Sequence, residues 1–433
     1  MDLRLYNSLS RRLETFTPLN APRVKMYSCG PTVYDYAHLG NWRAFVTADL
    51  LRRVLDYNNL QTDWVMNITD VDDKTIAASQ KTGQTLVNFT KFYEQAFRAD
   101  LEKLNISQPK LVKATDYVPE MIKLVEELLK QNIAYKTADG IYFDIKKFPN
   151  YGRFREVIPK EDNNFALWKF WKPEDGPIKW PAPFGGGRPG WHIECSAMSM
   201  KELGETFDIH TGGGDLMFPH HENELAQSEA VSSKVLAKYW IHNNFLNVGG
   251  EKMSKSLNNI YTLQDLEKKN ITPLAYRYWL LTAHYRTLVN FTWEAVAGAQ
   301  TTLNKIYNRV RALETEAGEG EVDQTYRDKF LSAINNDLNL PEALAVTWEL
   351  LNDDNLKPST SLAILFDFDR VFDLGLAAIK PLKIPPEVQV LVNKRETARQ
   401  NQNWPEADTF RQEIEKFGFH VNDTNFGPEI KVL

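Results

Sequence analysis

Along the first half of the chain, short apolar and β-branched runs alternate with stretches whose apolar positions recur every three to four residues. This is the pattern of parallel strands joined by crossover helices. Residues 24–29, 63–68, 207–210 and 239–246 predict strands, and glycine or small polar residues follow each run, as at strand ends that open onto a ligand crevice. An insertion separates the second and third runs, from about 111 to 189. It has its own strand pattern at 140–144 and closes in a Pro- and Gly-rich stretch at 181–189, so a small subdomain mounted on the sheet is expected. After residue 261 the periodicity is helical. Residues 315–322 are acidic, contain glycine and lack apolar periodicity, which predicts a linker. Residues 326–382 read as an amphipathic helical bundle in which Pro341 is tolerated in a first turn. Pro385-Pro386 marks a further break, and the last module carries helices at about 388–400 and 405–417, the second ended by Gly418.

A chain of 433 residues with 43% hydrophobic and 25% charged content has the means to bury a core in each of several domains. No run approaches the roughly 18 to 20 apolar residues of a membrane span, and no basic segment leads into an apolar one at the N-terminus, so a cytoplasmic protein without membrane contact is expected. The formal net charge of −6 excludes a protein that coats nucleic acid through bulk positive charge. Any RNA contact must be local. Residues 262–312 hold seven Lys or Arg against three acids, and this excess makes them the candidate phosphate-facing surface, although each single charge also reads as a solvated helix face. Only two cysteines occur, Cys29 and Cys195. A disulfide is not expected in a reducing compartment, which leaves a pair of small core residues or a pair of thiolate ligands.

Three segments carry candidate chemistry. The first predicted strand ends at Cys29, Gly30-Pro31 turns the chain, and His38-Leu39-Gly40-Asn41 opens the next helix. A helix N-terminus offers unpaired N–H groups and partial positive charge to a phosphate, and Gly40 lets a flat ring approach the backbone; alone, the tetrapeptide more often means a helix cap. The second segment, Lys252-Met253-Ser254-Lys255-Ser256, follows the last predicted strand and Gly249-Gly250, so a loop over the same crevice is expected. Its two lysines and two hydroxyls suit the charge that gathers on a departing pyrophosphate, and a solvated surface loop is the plain alternative. In the third, His220 and Glu224 stand four residues apart on a predicted helix and share one face, as an exposed polar pair or as two ligands of one ion.

The first two elements, in this order and about two hundred residues apart, resemble the two ATP signatures of class I aminoacyl-tRNA synthetases. The resemblance narrows to the cysteinyl-tRNA synthetases through residues 27–35, 67–74, 165–169, 187–195, 212–224 and 284–286, and through Thr397-Ala398-Arg399 and residues 404–411 near the C-terminus. It implies an α/β fold in which a Rossmann-like catalytic domain (1–110 and 190–261) carries an inserted connective subdomain (111–189). α-Helical C-terminal domains follow: a stem-contact region (262–314), a bundle (315–384) and a small anticodon-recognition-like module (385–433). It implies that His38, Gly40 and Asn41 with Gly212, Gly213 and Asp215 hold ATP, and that Lys252 and Lys255 stabilise the transition state. One Zn2+ would be held by Cys29, Cys195, His220 and Glu224, and L-cysteine would meet Cys29, Gly30, Thr69, Trp191 and Asp215. The partners implied are tRNA(Cys), cysteine and ATP with Mg2+, acting on a monomer. The chain departs from the family pattern at Asn41, where many relatives carry a second histidine, and at Gly427-Pro428-Glu429-Ile430-Lys431, where a Thr-Trp-Arg-Arg-like tail is common.

Two other functions fit parts of the sequence. A mycothiol-type cysteine:amine ligase shares the catalytic half but not a terminal module like that at 397–411. A non-catalytic RNA-binding relic has no physical need to keep His38, Lys252, Lys255 and all four metal candidates together.

Overall fold

In the computed structural model, which describes residues 2–155, 164–253, 257–316, 320–380, 384–424 and 427–432, five parallel strands form the central sheet. Their order is Lys110–Lys113, Gln61–Ile68, Arg23–Ser28, Phe207–Gly213, Ala237–Asn243. Numbered along the chain this order is 3-2-1-4-5, so it reverses between Arg23–Ser28 and Phe207–Gly213. In an open α/β sheet that reversal leaves a crevice at the carboxyl ends of the two strands. Helices cover both faces, which is why the central strands are apolar almost throughout; every residue of Phe207–Gly213 is buried. The first expected boundary, at residue 110, falls at the start of the edge strand Lys110–Lys113, which pairs with Gln61–Ile68.

The stretch read as an insertion holds a four-stranded antiparallel sheet in the order Ala134–Lys136, Gly140–Phe143, Phe165–Phe170, Gly187–Pro189. Gly190 then leads directly into helix Trp191–Leu203 beside the crevice. The strand expected at 239–246 is two elements. Ala237–Asn243 ends in the central sheet, whereas Leu246–Val248 joins Glu251–Lys252 and Val289–Phe291 in a separate sheet. Asn244 makes the break: its Oδ1 accepts from the Phe245 amide at 2.7 Å and its Nδ2 donates to the Arg286 carbonyl at 2.9 Å, so the chain bends where periodicity alone ran on.

The chain forms two compact units, Met1–Gln300 with Asp328–Val346 and Arg370–Leu374, and Thr301–Arg327 with Thr347–Asp369 and Gly375–Leu433. Inside the first, fully buried Arg277 donates to the carbonyls of Leu104 and Phe372 and to the Asp49 carboxylate at 2.7 Å. Asp49 also accepts from Arg53 Nε at 2.8 Å, and this shared carboxylate ties helix Leu39–Tyr57 to helix Pro273–Leu281. Inside the second, helices Pro386–Gln400 and Trp404–Lys416 match expectation, and Gly418 takes φ +81°. A hairpin not foreseen follows, Phe419–Thr424 paired with Gly427–Val432, in which Val421 joins Val388, Val392 and Ile414 in a small core. Polar His420, Asn422 and Asp423 interleave with its few apolar residues, so the alternation is too brief to stand out in the sequence. The expected linker overlaps 317–319, which lie outside the described residues, and its first two positions belong to helix Trp293–Glu316.

Candidate active site

Cys29 emerges from the carboxyl end of Arg23–Ser28, and its amide donates to the Thr211 carbonyl at 3.2 Å, which fixes it across the point where strand order reverses. Gly30 is needed there: a Cβ would fall 1.9 Å from the Asn67 carbonyl oxygen, while its amide donates to Asn67 Oδ1 at 2.8 Å. Helix Trp191–Leu203 brings in Cys195, and helix Glu222–Ser232 brings in Glu224. The helix expected from Pro219 begins three residues later, because Met217–His221 forms a wider turn with Phe218 extended. His220 nevertheless reaches Glu224, with Nε2 to Oε1 at 2.9 Å.

The four expected donors converge. One ligand atom from each of Cys29, Cys195, His220 and Glu224 lies within 4.8 Å of the others, and all four residues are buried. The two Sγ atoms are 3.9 Å apart, too far for a disulfide and close to the roughly 3.8 Å that two 2.3 Å bonds make at a tetrahedral zinc. A second set, Cys29, His210, His221 and Glu224, is equally compact and shares two members with the first, so there is room for one ion. Its histidines are already engaged. His210 Nε2 is 2.9 Å from Glu224 Oε2, and His221 Nδ1 is 2.7 Å from His242 Nε2, leaving His221 Nε2 at 3.3 Å from Cys29 Sγ. These are the positions of groups that orient ligands, whereas the first set adds Cys195, a second soft sulfur beside Cys29.

The protonation states fit a dication. Burial opposes the charge on Glu224, but the imidazoles of His210 and His220 outweigh it and hold the carboxyl well below its usual range. Burial also opposes the Cys195 thiolate, yet the Cys29 hydrogen bond and the adjacent His220 push that thiol down to about 6. His220 is raised to about 10, against burial, by Glu224 and Cys195. Burial and the Cys195 sulfur keep the Cys29 thiol well above the ordinary thiol range. The protons on His220 and Cys29 are the ones a metal ion would displace. Burial holds His221 well below its ordinary value and takes His242 down to about 3, so both rings are neutral.

Trp191, 41% exposed, stacks on the His220 ring at 4.3 Å and forms the outer wall of this cluster. Thr69 is buried and donates to Glu194 Oε2 at 2.9 Å. Asp215 is exposed just beyond the strand end. A Cβ at Gly212 would come within 2.8 Å of the His221 ring, and one at Gly213 within 2.4 Å of Asp215 Oδ1, so both glycines are also dictated by their neighbours.

His38 caps helix Leu39–Tyr57: its Nδ1 accepts from the Asn41 amide at 3.2 Å, and Asn41 Oδ1 accepts from the His38 amide at 3.1 Å. Met253, one of the two described residues of the second signature, lies nearby. Leu39 N donates to the Tyr261 carbonyl at 2.8 Å, His38 bridges to Thr262, and Met253 Sδ would be 3.3 Å from a Cβ at Gly40. Lys252 lies on the short strand Glu251–Lys252 with its ammonium 5.7 Å from the Phe245 ring centroid. Lys255, with Ser254 and Ser256, lies outside the described residues.

Sequence reasoning missed His192, His210, His221, His242 and Glu194. Of the chain's eight histidines, five fall between 192 and 242. Polar residues inside runs that otherwise read as buried strand, as at His210 and His242, are the signal that points to them.

The parallel sheet that reverses its strand order, with the capped helix Leu39–Tyr57 beside it, is the catalytic fold of a class I tRNA synthetase. The family model described as the tRNA synthetases class I (C) catalytic domain matches residues 15–301, and the cysteinyl-tRNA ligase anticodon binding domain matches 383–427. The cysteine–tRNA ligase of Chlamydia muridarum (strain MoPn / Nigg) is 43% identical over 478 aligned residues, covering 100% of both chains, and that of Brachyspira hyodysenteriae is 40% identical, covering 99% of both. The chain belongs to the cysteine–tRNA ligase family. Solved structures share the fold at low identity. Mycobacterium tuberculosis methionyl-tRNA synthetase with methionyl-adenylate has TM-score 0.60 at 14% identity over 81% of this chain and 90% of that one. The LeuRS of Agrobacterium radiobacter K84 in ternary complex has TM-score 0.61 at 10% identity, covering 84% and 85%.

Proposed function

We propose that this chain joins L-cysteine to tRNA(Cys) in two steps and selects its amino acid through one zinc ion held by Cys29, Cys195, His220 and Glu224. In the first step a cysteine carboxylate oxygen attacks the α-phosphorus of Mg2+-ATP, and pyrophosphate leaves from cysteinyl-adenylate. In the second, a terminal ribose hydroxyl of the tRNA attacks the activated carbonyl and AMP leaves.

The chain's own groups have separate tasks. The N-terminus of helix Leu39–Tyr57, with His38 and Asn41, presents donors to the phosphates, and Lys252 and Lys255 neutralise the departing pyrophosphate. Gly40, Gly212 and Gly213 leave room for the adenosine, with Asp215 at its rim. Trp191 walls the amino-acid site over His220, and Gly30 and Thr69 line its inner end. When bound, zinc supplies a centre that takes a sulfur ligand far better than a hydroxyl, which separates cysteine from serine where one atom of size difference cannot.

The observation that carries this reading is the convergence of four buried donors from three separate stretches of chain within 4.8 Å. The amine-ligase reading lacks a counterpart to the terminal module matched at 383–427. The test is aminoacylation of a tRNA pool with cysteine and serine in competition, with and without a zinc chelator. Cysteine alone should be charged, and chelation should abolish the preference; charging that ignores the chelator would sink the zinc mechanism.

A further inference from the structure

We propose that a cleft in the second compact unit receives one unstacked nucleotide of the RNA substrate, its phosphate on Lys305 and Arg309 and its base against Trp348. The inference rests on the tRNA-ligase reading and adds a contact point to it. Lys305 and Arg309 stand four residues apart on one exposed face of helix Trp293–Glu316, and neither forms an ion pair with a described residue. They line a cleft of about 430 Å³ whose remaining lining includes Trp348, near the end of helix Leu340–Leu351, with Asn352 and Asp354 just beyond it. That volume suits a group the size of one nucleotide.

The lining chemistry selects the occupant. Two adjacent cations in a chain of net charge −6 mark local rather than bulk attraction to an anion. An indole offers a stacking surface that any base can use. The polar groups are held in place: Asn308 Oδ1 accepts from an Arg311 guanidinium nitrogen at 2.7 Å, and Asn352 Nδ2 donates to the Trp348 carbonyl at 2.8 Å. Asp354 adds an acceptor suited to an exocyclic amino group or a ribose 2′-hydroxyl. An acidic peptide would meet the Asp354 carboxylate, and an apolar helix would leave both cations without a partner. A phosphate joined to a flat base with hydrogen-bond donors uses every group.

The test uses the full chain and an unmodified tRNA bearing the cysteine anticodon. Binding is titrated at several salt concentrations beside aminoacylation and cysteine-dependent pyrophosphate exchange. The variant carrying Lys305→Gln and Arg309→Gln should bind with a salt slope shallower by about 1, the one phosphate contact it loses. Trp348→Ala should raise the tRNA KM about fivefold or more, Trp348→Phe should recover most of that loss, and exchange should stay within about twofold in all variants. An unchanged salt slope in the charge variant, whose substitutions lie on an exposed face, overturns the proposal. So does an unchanged tRNA KM in Trp348→Ala. Because tRNA binding is read directly, absence of exchange in the unaltered chain would count against the ligase reading and leave the cleft still testable.

Discussion

Single atoms decide what the buried cluster does. Cys195→Ser exchanges a soft sulfur for a hydroxyl that zinc binds poorly, so metal content measured on the purified protein should fall well below one per chain, and the KM for cysteine should rise by about tenfold or more. A variant with full zinc content and unaltered cysteine affinity would remove Cys195 from the ligand set. Gly212→Ala probes the neighbouring histidines: the added methyl would meet the His221 ring at 2.8 Å, so the ring must move away from Cys29 and His242. The expected cost is about 1–3 kcal/mol in urea unfolding, together with weaker zinc retention under chelator challenge. At this scale the sequence displayed the four candidate ligands through a family resemblance. It did not display His210, His221 and His242, since a histidine buried in a polar cluster and one facing solvent look alike until neighbouring strands are placed.

Elements position the candidate ATP-binding groups, and at the first of them local sequence was a good guide. Cap, glycine and first turn are contiguous in His38-Leu39-Gly40-Asn41, so the helix start was legible, and the reciprocal His38–Asn41 hydrogen bonds bear it out. The mutant Asn41→Ala should separate folding from catalysis. Loss of one capping partner costs about 1 kcal/mol or less in thermal unfolding, whereas loss of a phosphate donor should slow pyrophosphate exchange by about tenfold or more. Equal exchange rates would confine Asn41 to capping. Elements were misjudged where side chains, rather than periodicity, set the end. Asn244 divides one apolar run between two sheets, and Met217–His221 delays a helix whose pattern begins at Pro219.

For the first compact unit taken whole, the central fastening is the buried Asp49, shared by Arg277 and Arg53. Burial opposes its charge, but Arg277, Arg53 and Arg52 outweigh burial and set its pKa below the ordinary carboxylate value. A depressed folded-state pKa stabilises the fold above the unfolded-state value of about 4, and that stability is lost as pH falls through the folded value. Asp49→Asn leaves Arg277 buried without its counter-ion and should cost about 3–5 kcal/mol near neutral pH. Measured by urea midpoint, the gap between variant and unaltered chain should narrow below about pH 4; a gap independent of pH would deny the ion pair its role. The sequence by itself determined the α/β alternation, the strands of the inserted layer, the helical terminal region and the capped start of helix Leu39–Tyr57, because each is written in contiguous residues whose period or cap is a local property. Tertiary structure alone decided that Cys29, Cys195, His220 and Glu224 meet, that three more histidines surround them, and that Arg277 finds Asp49. Those meetings depend on strand order and on crossovers of tens to more than a hundred residues, over which short-range patterning carries no information.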